Sequence, residues 1–187
     1  MSSRGQNANN GDKIILDLCG GTGAWSKPYA EAGYDVRNIT LPDYDVRTYQ
    51  PPDNVHGILA APPCNEFSLA KGNQSRDFQG GMEIVKACMN IIWSCHAAFW
   101  CLENPRGFLR QFLGKPAITI RFWEFGDGLD KPTDLWGYFT FPKKIYLQPA
   151  GLLRAIKSLP GGTDEERQLN RAITPPGFAR AFFKANP

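Results

Sequence analysis

The chain has 187 residues, a formal charge of +3 and 42% apolar residues, which suits one globular domain with a core of its own. No run approaches the roughly 20 apolar residues of a membrane span. Residues 1–12, built of Ser, Asn, Gln and Gly, fit neither a secretory nor a transit signal and read as a disordered lead-in, so a cytoplasmic protein is expected.

Cys19, Cys64, Cys88, Cys95 and Cys101 are odd in number and form no Cys-x-x-Cys pair, which argues against a disulfide framework or a zinc site. The weak basicity permits a nucleic-acid partner without demanding one.

Residues 13–18 form a short apolar run that ends in a glycine turn, Cys19-Gly20-Gly21-Thr22-Gly23. A strand feeding such a turn and then a helix opens a Rossmann-like α/β fold, where glycines let a ligand approach the backbone. The pattern G-x-G-x-x-G is not met, which disfavours an NAD enzyme, and a plain strand-to-helix turn is the alternative. Ser26, Pro28 and Gly33 punctuate the helix as capping hydroxyl, first-turn proline and terminal glycine. Residues 34–39 read as a second strand, and Asp43 and Asp45 follow in a loop where carboxylates of nucleotide-binding folds receive ribose hydroxyls or an amine.

The apolar run Val55–Ala60 reads as a buried strand that delivers Ala61-Pro62-Pro63-Cys64 at its carboxyl end, where open α/β sheets keep their chemistry. Two prolines stiffen the backbone just before the sulfur, so Cys64 is a candidate nucleophile, against the reading of a small buried hydrophobe. Residues 69–81 are polar and glycine-rich, as in a lid over a site. Residues 82–94 place Ile84, Val85, Cys88, Ile91, Ile92 and Cys95 on one helical face, with both cysteines read as core. A buried strand at 97–102 ends in Glu103, a charge unsuited to filling a core and therefore a functional candidate. His56 and His96 precede strands and read as structural. A further strand is expected at 118–125, and a last helix after Thr174-Pro175-Pro176, with Thr174 as cap and Phe178 and Phe182 inward.

These pieces resemble, in order along nearly the whole chain, the DNA cytosine-5 methyltransferases that use S-adenosylmethionine. Asp17 to Ser26 is similar to the family's cofactor loop, and Pro62-Pro63-Cys64-Asn65-Glu66-Phe67-Ser68 to its nucleophile loop. Glu103-Asn104-Pro105 resembles its catalytic Glu-Asn-Val, and Arg171-Ala172-Ile173-Thr174-Pro175-Pro176 the motif that packs back on the cofactor. The resemblance implies a single S-adenosylmethionine-dependent methyltransferase domain over 13–187 with a mostly parallel central sheet. It implies Cys64 and Glu103 as catalytic residues. Asp17, Gly21, Thr22, Gly23, Trp25, Asp45 and Pro62 would meet the cofactor, and Asn65, Ser68, Asn104 and Lys131 the substrate. No metal is expected.

The implied chemistry needs these residue types. Carbon 5 of cytosine is a poor nucleophile until a thiolate adds to carbon 6. An acid at ring nitrogen 3 then stabilises the adduct. In a duplex the base must first leave the stack, and residues 69–81 would close over it.

The chain departs from the family at Cys19, where a phenylalanine is usual, at Thr40, near the usual acid, and at Arg171, where an asparagine is usual. It lacks the Gln-x-Arg-x-Arg segment. Its target-recognition region is reduced to about 142–167, as in the compact forms carried by bacteriophages, which leaves few side chains for reading base edges. The same chemistry on RNA, single-stranded DNA or a nucleotide, and a catalytically silent cofactor- or DNA-binding subunit, remain open readings. A cysteine hydrolase lacks a histidine partner.

Overall fold

The structure is a computed structural model and describes residues 10–148, 154–155 and 172–187. Six strands form one sheet: β1 Ile14–Leu18, β2 Asp35–Ile39, β3 Val55–Ala60, β4 Phe99–Pro105, β5 Ile118–Arg121 and β7 Pro132–Tyr138, in the order β2-β1-β3-β4-β7-β5. The first four run parallel, and β7 is antiparallel to both neighbours. A two-residue strand, β6 Leu129–Asp130, pairs with β8 Arg154–Ala155 apart from the main sheet. Four helices complete the described chain: α1 Lys27–Glu31, α2 Phe78–Ser94, α3 Arg110–Leu113 and α4 Pro176–Ala185. This is a Rossmann-like α/β arrangement. None of the described helices is long and apolar enough to cross a membrane.

Alternation along the strands divides the core in two. Leu16, Leu18, Ile58, Ala60 and Leu102 join Val85, Cys88, Ile91 and Ile92 of α2. Ile15, Leu59, Phe99 and Cys101 join Trp25 and Tyr29 at α1 and Phe178 and Phe182 of α4. The inward placing of Phe178 and Phe182, both fully buried, agrees with the sequence.

Several boundaries differ from expectation. Strand β7 was not expected, because it opens on proline and carries Asp134 and Gly137 within its span. It is accommodated because Asp134, fully buried, is held by the Arg110 guanidinium at 2.5 Å and by the Thr119 hydroxyl at 2.8 Å. Gly137 has φ +147, and a Cβ there would overlap the carbonyl of Trp100.

The helix expected from 82 begins at Phe78, since the Asp77 carboxylate accepts the Gly80 N–H at 2.8 Å. Such a cap, worth about 1 kcal/mol, offsets much of what Gly80 and Gly81 cost at about 1 kcal/mol each. The strand expected at 118–125 stops at Arg121 and tightens into a 3₁₀ turn over Phe122–Phe125. Strand β4 continues through Glu103 and Asn104 to Pro105.

Two expected caps are filled otherwise. The Ser26 hydroxyl makes no cap bond to α1. The first N–H groups of α4 are received by Asp127, from Gly177 at 2.8 Å and Phe178 at 2.9 Å, and Thr174 is not the cap. At the start of the described chain, residues 10–12 form a turn in which the Asn10 amide donates to the Ala32 carbonyl at 3.0 Å. Residues 1–9 and Arg171, and most of 142–167, lie outside the described residues.

Candidate functional site

The carboxyl ends of β1, β3 and β4 open into one cleft. It is lined by Asp17, Gly21, Thr22 and Trp25 from the glycine turn, Pro62 and Cys64 from the loop after β3, Glu103 from β4, Lys131 ahead of β7, and Ala172 to Thr174 ahead of α4. Its volume is about 90 Å³, so a ligand that needs about 300 Å³ or more would extend beyond it along the open mouth.

The floor holds an unmatched pair of polar atoms. Asp17 is fully buried; its Oδ2 accepts from Ser26 Oγ at 2.5 Å, and its Oδ1 has no partner. Burial pushes its pKa up to about 6, against the opposing pull of Ser26. The Trp25 indole Nε1–H is likewise buried without an acceptor. Trp25 is fixed by rings of α4, with Phe182 edge-on at 5.4 Å and Phe178 tilted at 5.8 Å. Buried polar groups are normally satisfied, so an orphan acceptor and an orphan donor on two cleft-lining side chains fit a ligand bearing both an ammonium and an anionic or carbonyl oxygen.

The glycine turn is drawn tight around this carboxylate. A Cβ on Gly20 would overlap Asp17 and crowd Asn38 Oδ1. The Asn38 amide in turn donates to the Gly21 carbonyl at 2.9 Å. Ser26 and Asn38 were not expected in these roles. Asn38, a polar residue inside a short strand beside the turn, was the available signal. Cys19 adopts φ +57 with its sulfur 4.0 Å from that of Cys88.

Asp17 carries a pH prediction. Its folded pKa, about 6, lies above the unfolded value near 3.8, so the folded state holds the extra proton between the two. That contribution is fully present below the unfolded value and is lost as pH rises through about 6, up to about 3 kcal/mol. Urea midpoints at pH 4.5 and 7.5 should therefore differ less in Asp17→Asn than in the unaltered chain; an equal difference would refute this account.

Cys64 is half-buried and not in a disulfide. Its carbonyl accepts the N–H groups of Phe67 at 3.0 Å and Ser68 at 2.8 Å, which closes the turn that presents the thiol. The Asn104 amide, fully buried, donates to the Pro62 carbonyl at 3.0 Å and ties β4 to this turn. Lys131, itself buried, sets its Nζ 3.7 Å from Glu103 Oε1 and 5.7 Å from the Phe122 ring centre.

Of the expected site residues, Gly23, Asp45, Asn65, Ser68 and Asn104 do not line the cleft. Gly23, at φ +70, shapes the turn. The Asp45 carboxylate is gripped by Arg47 at 2.5 to 3.0 Å, which holds it down at about 2. Asn65 is exposed. Ser68 Oγ accepts from the Ala70 N–H at 3.2 Å, and Asn104 lies behind the loop.

The expected lid shortens to 69–77, because its last four residues belong to α2. Glu66 ties it down. Its carboxylate takes Lys71 at 2.5 Å and the Asp77 N–H at 2.7 Å, and its carbonyl takes Arg76 at 2.7 Å. These contacts draw the Glu66 pKa down. No group of histidine, cysteine and acid side chains among the described residues could hold a metal ion; His56 Nε2 lies 2.9 Å from the Pro187 carbonyl.

No protein-family profile matches the chain. Over 89 residues, 48% of its length, it is 27% identical to the type II methyltransferase M.NmeDI of Neisseria meningitidis serogroup C. The chain is a distant relative of a methyltransferase. The matched stretch spans 19% of that protein. The cleft at the strand ends and the glycine turn around Asp17 are consistent with that kinship.

Proposed function

We propose that the chain is a DNA (cytosine-5-)-methyltransferase acting through a covalent cysteine adduct. The observation that carries this reading is one cleft lined both by Cys64 and Glu103 and by the unmatched acceptor of Asp17 and donor of Trp25. The amino-acid end of S-adenosylmethionine has the ammonium and carboxylate that such a pair would receive, with Gly21 and Thr22 lining the same wall. When bound, this cofactor supplies a methyl group on a sulfonium.

The chain's own residues then have definite tasks. The Cys64 thiolate adds to carbon 6 of the base and raises electron density at carbon 5. Glu103 holds a proton at ring nitrogen 3 and stabilises the adduct. Lys131, beside Glu103, supplies a positive charge for a phosphate or a base carbonyl. Asn104 fixes the Pro62 carbonyl and so the direction of the nucleophile turn. Loss of the carbon 5 proton to a base expels the cysteine and restores the thiolate. A target cytosine in a duplex would leave the stack to reach this cleft, whereas one in a single strand would enter it directly.

The test is transfer of labelled methyl from S-adenosylmethionine to duplex DNA, single-stranded DNA, RNA and dCMP, with Glu103→Gln in parallel. Label at carbon 5 of DNA cytosine, reduced about 10²- to 10⁴-fold in the variant, is the expected result. Label on an exocyclic nitrogen would sink the cysteine mechanism. Binding of cofactor or DNA with no label anywhere would make the chain a silent subunit.

A further inference from the structure

A second depression lies on the far side of α4 from Trp25 and belongs to no part of the proposed chemistry. Its apolar lining is Phe125, Phe141 and Ile145, its rim is Lys143, Arg180 and Lys184, and its volume is about 510 Å³. Phe141 and Ile145 are 54% and 64% exposed and line the same depression, the kind of grouped apolar surface, rimmed by polar residues, that marks a binding site.

The wall is held in place. The Glu124 carbonyl accepts the N–H groups of Ile145 at 2.9 Å and Tyr146 at 3.2 Å, while its carboxylate accepts from Lys144 at 2.7 Å. The nearby Asp127 carboxylate is taken up by the first N–H groups of α4, although its field reaches Arg180. None of the three rim cations forms an ion pair among the described residues. The depression adjoins the cleft: Thr174 lines the cleft and Gly177 the depression, and three residues span at most about 11 Å.

From these observations we propose that this groove seats the single-stranded flank of a polynucleotide whose target base occupies the cleft. One unstacked base covers Phe141 and Ile145, and neighbouring phosphates meet Lys143, Arg180 and Lys184. An aromatic floor inside a basic rim fits a single strand, which offers base faces; a duplex offers the rim its phosphates and leaves the floor uncovered. The inference rests on a nucleic-acid substrate for the cleft.

The experiment measures binding of a fluorescent 16-nucleotide single strand and its duplex between 50 and 200 mM salt. It uses the full chain, Phe141→Ala, the triple variant Lys143→Glu/Arg180→Glu/Lys184→Glu, and a charge-matched control at exposed Lys27, Lys86 and Lys115. The triple variant should bind the single strand at least tenfold more weakly, with a salt slope flatter by roughly 2, as expected for three lost phosphate contacts. Phe141→Ala should weaken the single strand roughly tenfold, leaving duplex binding and the salt slope unchanged. Unchanged single-strand affinity in both variants, or equal loss in the charge-matched control, would overturn the groove.

Methyl transfer to dCMP, which carries no flanking nucleotide to enter the groove, tests the cleft separately. Transfer with no groove effect rejects only the groove. A groove effect with no transfer to any substrate rejects only the proposed chemistry. Urea midpoints within error of the unaltered chain establish that each variant is folded.

Discussion

Cys64→Ala is expected to lower methyl transfer by roughly 10⁴-fold or more, the scale seen when an enzyme loses its nucleophile, while leaving the fold intact. The thiol is half-buried on a turn whose geometry comes from backbone groups, the Cys64 carbonyl with the N–H groups of Phe67 and Ser68. Alanine preserves those bonds. Retained binding of S-adenosylmethionine with lost transfer would therefore place the defect in chemistry. A second readout makes the result specific: a substrate carrying 5-fluorocytosine, which cannot shed the group at carbon 5, should leave a covalent protein–DNA species with the unaltered chain and none with Cys64→Ala. Equal transfer by the alanine variant would end the adduct mechanism.

The largest expected effect on stability is at Gly137. The residue sits inside β7 between β4 and β5, paired with Cys101, at φ +147, and a Cβ there would meet the Trp100 carbonyl oxygen. Because that contact is with backbone, relief requires moving β4, the strand that carries Glu103. Strain of about 1–3 kcal/mol at such a φ, with a similar cost for overpacking, puts Gly137→Ala about 3 kcal/mol or more below the unaltered chain. A urea midpoint within 0.2 M of the unaltered value, with slopes of about 1–3 kcal/mol per M, would show that the strand gives way more easily than its geometry implies.

The parallel strands and the cleft were legible in the sequence because their signals are local. An apolar run ending in glycines, in Pro-Pro-Cys or in a lone glutamate marks a strand end bearing chemistry, and Asp17, Cys64 and Glu103 do line one cleft. What escaped depended on distant partners. Pro132, Asp134 and Gly137 argue against a strand until Arg110 and Thr119 are brought beside Asp134. Ser26 has the residue type and position of a helix cap, yet its hydroxyl is drawn to a carboxylate nine residues earlier. The cap of α4 comes from Asp127, fifty residues upstream of Gly177. Asp45 has the residue type expected of a cofactor contact, but its neighbour Arg47 engages it.

The packing of Trp25 against Phe178 and Phe182 has a consequence for how the chain comes into being. The first helix unit is synthesised before its apolar cover, because Trp25 precedes Phe178 and Phe182 by about 150 residues. At roughly 5–20 residues per second, about eight to thirty seconds separate the two. During that interval Trp25, Tyr29 and Phe99 have no α4 to cover them, and the wall of the cleft contributed by residues 172–174 does not yet exist. A nascent chain therefore cannot hold a ligand at Asp17 in the finished geometry, and its aromatic face stays open to solvent until α4 docks.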